Sequence, residues 1–335
     1  MKKIFLIVLL FVSINVNASV VVMDADSGRI LYSKDPNNRM LIASTTKVMT
    51  AIVALENAEL TDEYIVSDEI DKVNGSMIYS KKGEKFTLND LLHGLLLRSG
   101  NDAAMTIASN VMKYDDFIRE MNQKAFILGM YDTTFENPHG LNDDTKNYST
   151  ANDLAILMKY AIKNKEFIKI SQTRKYKVKD YIWHNKNELL SKYKYAISGK
   201  IGFTKSSGPV FVSSAKKHGK TLVIASINES DKFELHKRLY EENFKKYKRY
   251  KILDSNKISF KIKNQNNNHL YIKNNYYMLL QKNELKNVNI VLSHDQNNNY
   301  LKIYYNNQLI HIEKIYTLEY KKRTNKIKDI LFFWK

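Results

Sequence analysis

Ser44 and Lys47 are three residues apart at the start of an apolar run, 45–57, that has the composition of a helix. Side chains at positions i and i+3 of a helix lie on one face, and burial disfavours the ammonium form of a lysine. A neutral lysine can take the proton of a neighbouring serine, so the pair predicts a serine nucleophile with a lysine base. The Ser-x-x-Lys spacing is weak alone, since it occurs three more times in the chain. An N-capping Ser44 with Lys47 reaching solvent is the alternative.

Two later motifs strengthen the prediction that Ser44 and Lys47 form a catalytic pair. Ser99-Gly100-Asn101 lies in a polar elbow between two predicted apolar helices, where a hydroxyl and an amide can face a cleft. The run 200–204, Lys-Ile-Gly-Phe-Thr, enters a predicted strand whose glycine permits close approach of a ligand. Taken singly, these motifs are also explained by a simple loop and by an edge strand with an exposed lysine. All three motifs in this order are a much rarer coincidence than any one of them.

With these motifs the chain resembles the serine D-Ala-D-Ala carboxypeptidases, the low-molecular-mass penicillin-binding proteins of the penicillin-binding protein 5 group (peptidase S11). The likeness covers about residues 19–245. It includes four segments: 43–51 (ASTTKVMTA), 99–103 (SGNDA), 135–141 (FENPHGL) and 149–153 (STAND).

The resemblance implies a role for each matching position of the catalytic group. Ser44 is implied as the acylated nucleophile and Lys47 as its proton acceptor. Ser99 would relay a proton to the leaving D-alanine. The reaction is acyl transfer to serine and then to water, which needs no metal and no other cofactor.

The resemblance also implies the groups that bind the substrate. Asn101 would hold the amide of the donor peptide, and Lys200 would supply positive charge and polarise Ser99. The backbone N–H groups of Ser44 and Phe203 would form an oxyanion hole, in which one donor is worth about 3–4 kcal/mol of barrier. Gly202 belongs to the same substrate-binding strand.

Two positions depart from the family pattern. Ile201 stands where the family usually has a threonine that binds the terminal carboxylate, a loss of about 1.5–3 kcal/mol if nothing replaces that hydrogen bond. Lys232 stands where an arginine usually binds the same carboxylate, so the charge remains without the bidentate fork. Thr204 could donate to the carboxylate instead. We expect weakened or altered substrate selectivity more than loss of chemistry.

Composition and charge limit the class of protein. The 335 residues contain 53 Lys+Arg, 35 Asp+Glu and no cysteine, a net charge of +18. The absence of cysteine excludes a disulfide scaffold, a cysteine nucleophile and Cys-ligated zinc. Residues 245–335 hold 19 Lys+Arg and 6 Asp+Glu, whereas residues 1–244 hold 34 and 29. The excess charge therefore belongs to the C-terminal part, where an anionic membrane surface is the expected partner and nucleic acid is not.

Local composition and hydrophobic patterning predict four regions along the chain. Residues 1–18 have two lysines, nine apolar residues and a small-residue step, which is typical of a secretory signal peptide, an uncleaved anchor being the alternative. Residues 19–245 mix strands and helices, as expected for an α/β (α+β) domain of the transpeptidase/β-lactamase type. Short alternating runs predict a small all-β domain over 251–318. Residues 320–335 form a basic amphipathic pattern that predicts a membrane-associating helix.

These features together predict an exported cell-wall enzyme at the periplasmic or outer face of the cytoplasmic membrane, attached peripherally. Its expected partners are the peptidoglycan stem peptide, from which it would remove the terminal D-Ala, and β-lactam antibiotics, which it would bind covalently. The alternative is a weakly active or non-catalytic envelope protein that binds penicillin or peptidoglycan, motivated by Ile201 and Lys232. A β-lactamase is less favoured because no motif for a second, water-positioning carboxylate is present.

Overall fold

The computed structural model describes residues 18–257, 259–261, 269–295 and 298–318. Nearly all of the predicted signal peptide and the whole predicted amphipathic helix, 320–335, lie outside the described residues. The described chain divides into two units. The first comprises residues 18–23, 30–216 and 222–240, and the second comprises 24–29, 217–221 and the described part of 241–318.

Eight α-helices form within the described ranges, and none of them combines the length and hydropathy that a membrane crossing requires. Helix α1 is the central helix of the first unit: it contacts α3, α4 and α5, and its apolar residues from Val48 to Ala54 are fully buried. A helix that is apolar all round is typical of such a position. The helices are α1 Lys47–Asn57, α2 Leu88–His93, α3 Asn101–Val111, α4 Tyr114–Leu128, α5 Ala151–Ala161, α6 Lys165–Ser171, α7 Leu189–Lys192 and α8 Lys232–Lys246.

Three short 3₁₀ turns and one π-helical turn complete the helical elements of the described residues. The 3₁₀ turns are Ala43–Thr46, Asp68–Lys72 and Lys282–Asn287, and the π-helical turn is Gly94–Arg98.

Eighteen strands form in the described residues. They are β1 Ser19–Asp24, β2 Ile30–Lys34, β3 Met40–Leu41, β4 Glu63–Ile65, β5 Lys85–Thr87, β6 Tyr148–Ser149, β7 Lys175–Val178, β8 Tyr181–His184, β9 Ala196–Thr204, β10 Gly208–Lys217, β11 Lys220–Ile227, β12 Lys248–Leu253, β13 Ser259–Lys261, β14 His269–Tyr271, β15 Tyr276–Leu280, β16 Val288–Asp295, β17 Asn298–Tyr305 and β18 Gln308–Leu318.

The largest sheet of the first unit has the strand order β2-β1-β11-β10-β9. Strands β1 and β2 pair antiparallel as a hairpin. Strand β9 lies at one edge and pairs antiparallel with β10, with Gly202 opposite Val210. Lys200 lies inside β9, not at its start as predicted, because Ser198 and Gly199 weaken the strand signal of the preceding residues. The mixed α/β class predicted from the sequence is confirmed.

The second unit is built from strands. A five-stranded sheet has the order β13-β14-β18-β17-β16, and β12 pairs with β15. Leu253, Met278, Leu280 and Ile303 are fully buried in its core. The first strand, β12, begins at Lys248, within the basic run that precedes the predicted start at 251. From Arg249 to Ile252 the charged side chains are exposed and the intervening ones partly buried, which is the alternation of a half-buried strand.

Candidate active site

Ser44 and Lys47 are brought together at the start of α1. Ser44 lies in the 3₁₀ turn, and Lys47 is the first residue of the helix, with its Nζ 3.0 Å from Ser44 Oγ. Lys47 is fully buried, and the helix has no side-chain cap. The alternative of a capping serine and a solvent-reaching lysine is therefore wrong.

The hydrogen bonds of Lys47 define the direction of proton transfer. Its Nζ lies 2.7 Å from Asn101 Oδ1 and 2.5 Å from the carbonyl oxygen of His139. Both of these oxygens can only accept hydrogen bonds. Asn101 is held in this orientation because its Nδ2 donates to the carbonyl of Asn74. A neutral amine has two N–H bonds, which these acceptors take, so its lone pair is left for the Ser44 hydroxyl.

The electrostatic environment favours that neutral form. Burial lowers the pKa of Lys47 well below its usual value of 10.5, and the charge of Lys200 lowers it further. The carboxylate of Asp102 acts in the opposite direction, and Lys186 adds to the lowering. Lys47 is thus suited to accept a proton from Ser44.

Ser99 and Lys200 form a second hydroxyl–amine pair. Ser99 has left-handed backbone angles, φ 66° and ψ 34°, which end the π-helical turn and aim its side chain inward. Lys200 Nζ donates to Ser99 Oγ at 2.9 Å and to the carbonyl of Ile201 at 2.8 Å. Lys200 is only 2% exposed, so the predicted edge strand does not carry an exposed lysine. Burial, with the charge of Lys186, lowers the pKa of Lys200 to about 7.

Strand β9 passes close to the backbone of Ser44. A Cβ added to Gly202 would lie 3.0 Å from Ser44 N and 3.1 Å from Ala43 Cβ, which is tighter than ordinary contact, so glycine allows this approach without displacing the neighbouring backbone. Phe203 follows, with its side chain 68% exposed. The segment at Gly202 therefore lies against the amide of Ser44, and Phe203 is the next residue of β9.

The segment 135–141 holds the other side of Ser44 and Lys47. Asn137 Oδ1 accepts hydrogen bonds from the amides of His139 and Gly140, at 3.1 and 2.6 Å. Gly140 has a φ of +88° and packs directly on the carbonyl of Ala43. This turn aims the His139 carbonyl at Lys47. Sequence reasoning missed this contact, which His139 makes through its backbone carbonyl.

Two further charged residues near the site were also missed. Asp102, fully buried, accepts hydrogen bonds from the amides of Ile78 and Ser80 at 3.0 and 3.2 Å. Lys186 Nζ donates to Ser76 Oγ at 3.0 Å, and the Ser76 carbonyl accepts from the amide of Asn101 at 2.7 Å. Asp102 and Lys186 therefore both hold the segment 76–80, beside Asn101, through hydrogen bonds. The only sequence signal was the position of Asp102 directly after the Ser-x-Asn motif.

Thr204 and Lys232 are predicted to bind the substrate carboxylate. They are less closely connected than the members of the Ser44, Lys47, Ser99 and Lys200 group. Thr204 Oγ1 donates to Ser207 Oγ at 2.9 Å, so binding a carboxylate requires exchange of this hydrogen bond. Lys232, at the first turn of α8, has its Nζ 5.0 Å from the centroid of the Phe233 ring. Within the described residues, no hydrogen bond or ion pair joins Lys232 to the Ser44, Lys47, Ser99 and Lys200 group.

Replacing Lys200 with methionine is expected to change how stability depends on pH. Because the folded pKa of about 7 lies below the usual 10.5, the unfolded chain binds more protons between these values. Lys200 therefore makes the free energy of unfolding rise with pH in this window, by up to about 1.4 kcal/mol per pH unit. Denaturant unfolding from pH 7 to 10 should show a smaller rise for Lys200→Met. Exposed Lys205→Met is the control, and an unchanged slope in Lys200→Met would refute the lowered pKa.

Comparison with known proteins agrees with this geometry. A sequence model of the D-alanyl-D-alanine carboxypeptidase family, peptidase S11, matches residues 13–231. The D-alanyl-D-alanine carboxypeptidase DacB2 of Mycobacterium tuberculosis is 35% identical over 210 residues, which cover 61% of this chain and 72% of that protein. DacF of Bacillus subtilis is 32% identical over 210 residues, covering 59% of this chain and 54% of DacF. The chain thus spans about half the length of DacF.

Solved structures extend the similarity to the fold. A crystal structure of a D-alanyl-D-alanine carboxypeptidase from Mycobacterium tuberculosis has a TM-score of 0.65 and 32% identity, covering 68% of this chain and 90% of that one. Penicillin binding protein 5 from Haemophilus influenzae has a TM-score of 0.75 and covers 90% of this chain and 96% of its own. At 23% identity, this second likeness shows the fold alone.

Proposed function

Because the chain belongs to the peptidase S11 family of D-alanyl-D-alanine carboxypeptidases, we propose that it removes the terminal D-Ala from peptidoglycan pentapeptide through an acyl-enzyme on Ser44. The observation that carries this proposal is the buried Lys47. Its two acceptors, Asn101 Oδ1 and the His139 carbonyl, leave its lone pair to the Ser44 hydroxyl 3.0 Å away.

The proposed reaction has two acyl transfers. Ser44 Oγ attacks the carbonyl carbon of the D-Ala-D-Ala bond while its proton passes to Lys47. The C–N bond then breaks, and a proton relayed through Ser99 reaches the amine of the leaving D-Ala. Water attacks the ester in the second step, which releases the tetrapeptide and restores the Ser44 hydroxyl. A β-lactam would acylate Ser44 in the same way.

Substrate binding is proposed for the groups around this pair. The amides of Ser44 and Phe203 would stabilise the oxyanion, and the absence of a side chain at Gly202 supports this because it lets β9 approach Ser44. Asn101 would hold the donor amide. Lys200 would supply positive charge toward the terminal carboxylate, with Thr204 and Lys232 as further binding groups.

Chromatography of muropeptides tests the proposed activity. Incubating pentapeptide muropeptides with the protein should convert them to tetrapeptides with release of one D-alanine each. Unchanged pentapeptide, together with intact penicillin binding, would instead support a weakly active or non-catalytic envelope protein. Rapid multiple-turnover hydrolysis of nitrocefin would support a β-lactamase.

Replacing Ile201 with threonine, the residue usual at this position in the family, is expected to raise the catalytic efficiency of D-Ala release. Ile201 is adjacent to Lys200 on β9, and a threonine there would offer one hydrogen bond to a charged carboxylate, worth about 1.5–3 kcal/mol. Ile201→Thr should therefore raise kcat/KM for D-Ala release by about 10- to 150-fold. Ile182→Thr, on the exposed part of β8, is the control. An unchanged kcat/KM would show that another group already binds the carboxylate.

We also propose that the protein works in the cell envelope, after export directed by residues 1–18, and that residues 320–335 attach it to the outer face of the cytoplasmic membrane. The proposal is supported by the basic charge of 245–335 and by the apolar residues at helical spacing in the tail. Co-sedimentation with anionic vesicles should fall when residues 320–335 are removed. Equal co-sedimentation would contradict the attachment.

A further inference from the structure

Strand β16 forms one edge of the five-stranded sheet of the second unit. It comprises eight residues, Val288–Asp295, and pairs with β17 along its whole length without a bulge. No described strand pairs with its other side. Backbone N–H and C=O groups therefore line an open edge to which a further strand can add.

The exposed side chains in the middle of β16 are apolar on both faces of the sheet. Ile290 and Leu292 lie opposite Ile303 and Leu301 of β17, which are buried, yet they are themselves 48% and 60% exposed. Val291, on the other face, is 47% exposed. The apolar layer of the second unit thus reaches the edge strand, where much of it is in contact with solvent.

The other edge strands of the two five-stranded sheets each contain a lysine. Strand β2 ends at Lys34, β9 contains Lys200 and β13 ends at Lys261. Lysines, prolines and bulges on an edge oppose pairing with another chain. Strand β16, with the sequence VNIVLSHD, has no lysine, arginine or proline, and its one acidic residue is the last. This edge therefore lacks the usual protection, although it lies in the most basic part of the chain.

A second copy of the chain supplies a strand that matches this edge. When two identical strands pair antiparallel about a two-fold axis, residues equally far from the axis oppose each other. An axis at Val291 sets Val291 against itself and Ile290 against Leu292, so every exposed apolar residue meets an apolar residue. An axis at Ile290 would set Val291 against Asn289, and an axis at Leu292 would set it against Ser293.

The basic charge of the second unit does not oppose this pairing at close range. Lys302 of β17 lies opposite Val291. With the axis at Val291, three strand spacings separate Lys302 from its copy in the second chain, a distance of about 14 Å. Because this exceeds the Debye length of about 8 Å at physiological ionic strength, their repulsion is largely screened.

We propose that two copies of the chain associate by antiparallel pairing of β16 with β16, about a two-fold axis at Val291. The pairing joins the two five-stranded sheets and covers the apolar edge on both faces. It closes after two copies, because each chain has one such edge. The contact is a single strand from each chain, so we expect a weak and reversible dimer. This inference goes beyond the proposed function and involves none of its residues.

Single cysteines test the pairing, since the chain has no cysteine of its own. Opposed residues of antiparallel strands have Cα atoms about 4.5–5.5 Å apart, within the range of a disulfide. Val291→Cys, oxidised with copper phenanthroline, should therefore form a disulfide-linked dimer. Ile312→Cys is the control, because Ile312 is 49% exposed on the same face but lies two strands away from β16. It should stay monomeric under the same conditions.

A mixture of two variants tests the register. Asn289 and Ser293 oppose each other when the axis is at Val291, and neither opposes its own copy. Asn289→Cys and Ser293→Cys should therefore form a mixed disulfide-linked dimer when they are combined, and neither should form a dimer alone. Dimers formed by either variant alone, without the mixed dimer, would overturn the proposed axis.

A charge at the axis tests the association without a cross-link. Val291→Lys sets two ammonium groups against each other and should raise the dimer dissociation constant at least about tenfold in sedimentation velocity of the full chain. Ile312→Lys places the same charge on the same face and should leave the constant unchanged. Circular dichroism should show that both variants are folded. A monomeric wild type, no dimer of Val291→Cys, equal trapping of Ile312→Cys, or an unchanged constant in Val291→Lys would overturn the inference.

Discussion

Replacing Ser44 with alanine is expected to abolish D-Ala release, with kcat falling by at least about 10⁴-fold. The reason is that the proposed acyl-enzyme needs the Ser44 oxygen, and no other hydroxyl in the described residues lies within hydrogen-bonding distance of Lys47. Release of D-Ala from pentapeptide measures the effect.

The matched control is Ser191→Ala. Ser191 begins another Ser-x-x-Lys sequence, but its hydroxyl donates to the carbonyl of Glu188 at an exposed site. This variant should keep full activity. Circular dichroism and thermal unfolding should show that Ser44→Ala is folded. Normal D-Ala release by folded Ser44→Ala would exclude Ser44 as the nucleophile.

Replacing Lys47 with arginine is expected to slow acylation of the protein by about 10³-fold. An arginine remains protonated in proteins, so it cannot accept the Ser44 proton, although it keeps a positive charge near Asn101. Lys47→Met should be equally slow, because its side chain fills the buried site without a base. Stopped-flow measurement with a fluorescent penicillin gives the rate constant.

Lys194→Arg, the lysine of the Ser191-x-x-Lys sequence, is the control for Lys47→Arg and should be acylated at the normal rate. The pH dependence adds a second criterion. Because the base form of Lys47 is the reactive one, acylation should accelerate as pH rises through its lowered pKa and then level off. Wild-type acylation rates in Lys47→Arg would show that another group removes the Ser44 proton.

Much of the candidate catalytic group of Ser44, Lys47, Ser99 and Lys200 could be predicted from local sequence patterns. The three-residue spacing of Ser44 and Lys47 and the apolar run behind them require a buried helix that starts at this pair. The elbow at Ser99 and Asn101 was also predictable, because a polar break between apolar helices needs a turn. The order of the three motifs, and not any one alone, linked these residues to Lys200.

The parts that could not be predicted depend on contacts between distant segments. The His139 carbonyl reaches Lys47 because Asn137 and Gly140 shape a turn, and a backbone carbonyl has no sequence signal of its own. Lys186 is 110 residues from its partner Ser76. Thr204 appeared free to bind a carboxylate until the structure placed Ser207 beside its hydroxyl. Such pairings are fixed by the packing of the whole unit.

Mass mapping of the penicillin adduct tests whether Ser44 is the acylated residue. The protein is incubated with penicillin, its intact mass is measured, and the modified peptide is identified after digestion. We predict one penicillin per chain, attached at Ser44, with no adduct on Ser44→Ala and a full adduct on Ser191→Ala. An unmodified Ser44, or an adduct that persists at another residue in Ser44→Ala, would contradict acyl transfer through Ser44.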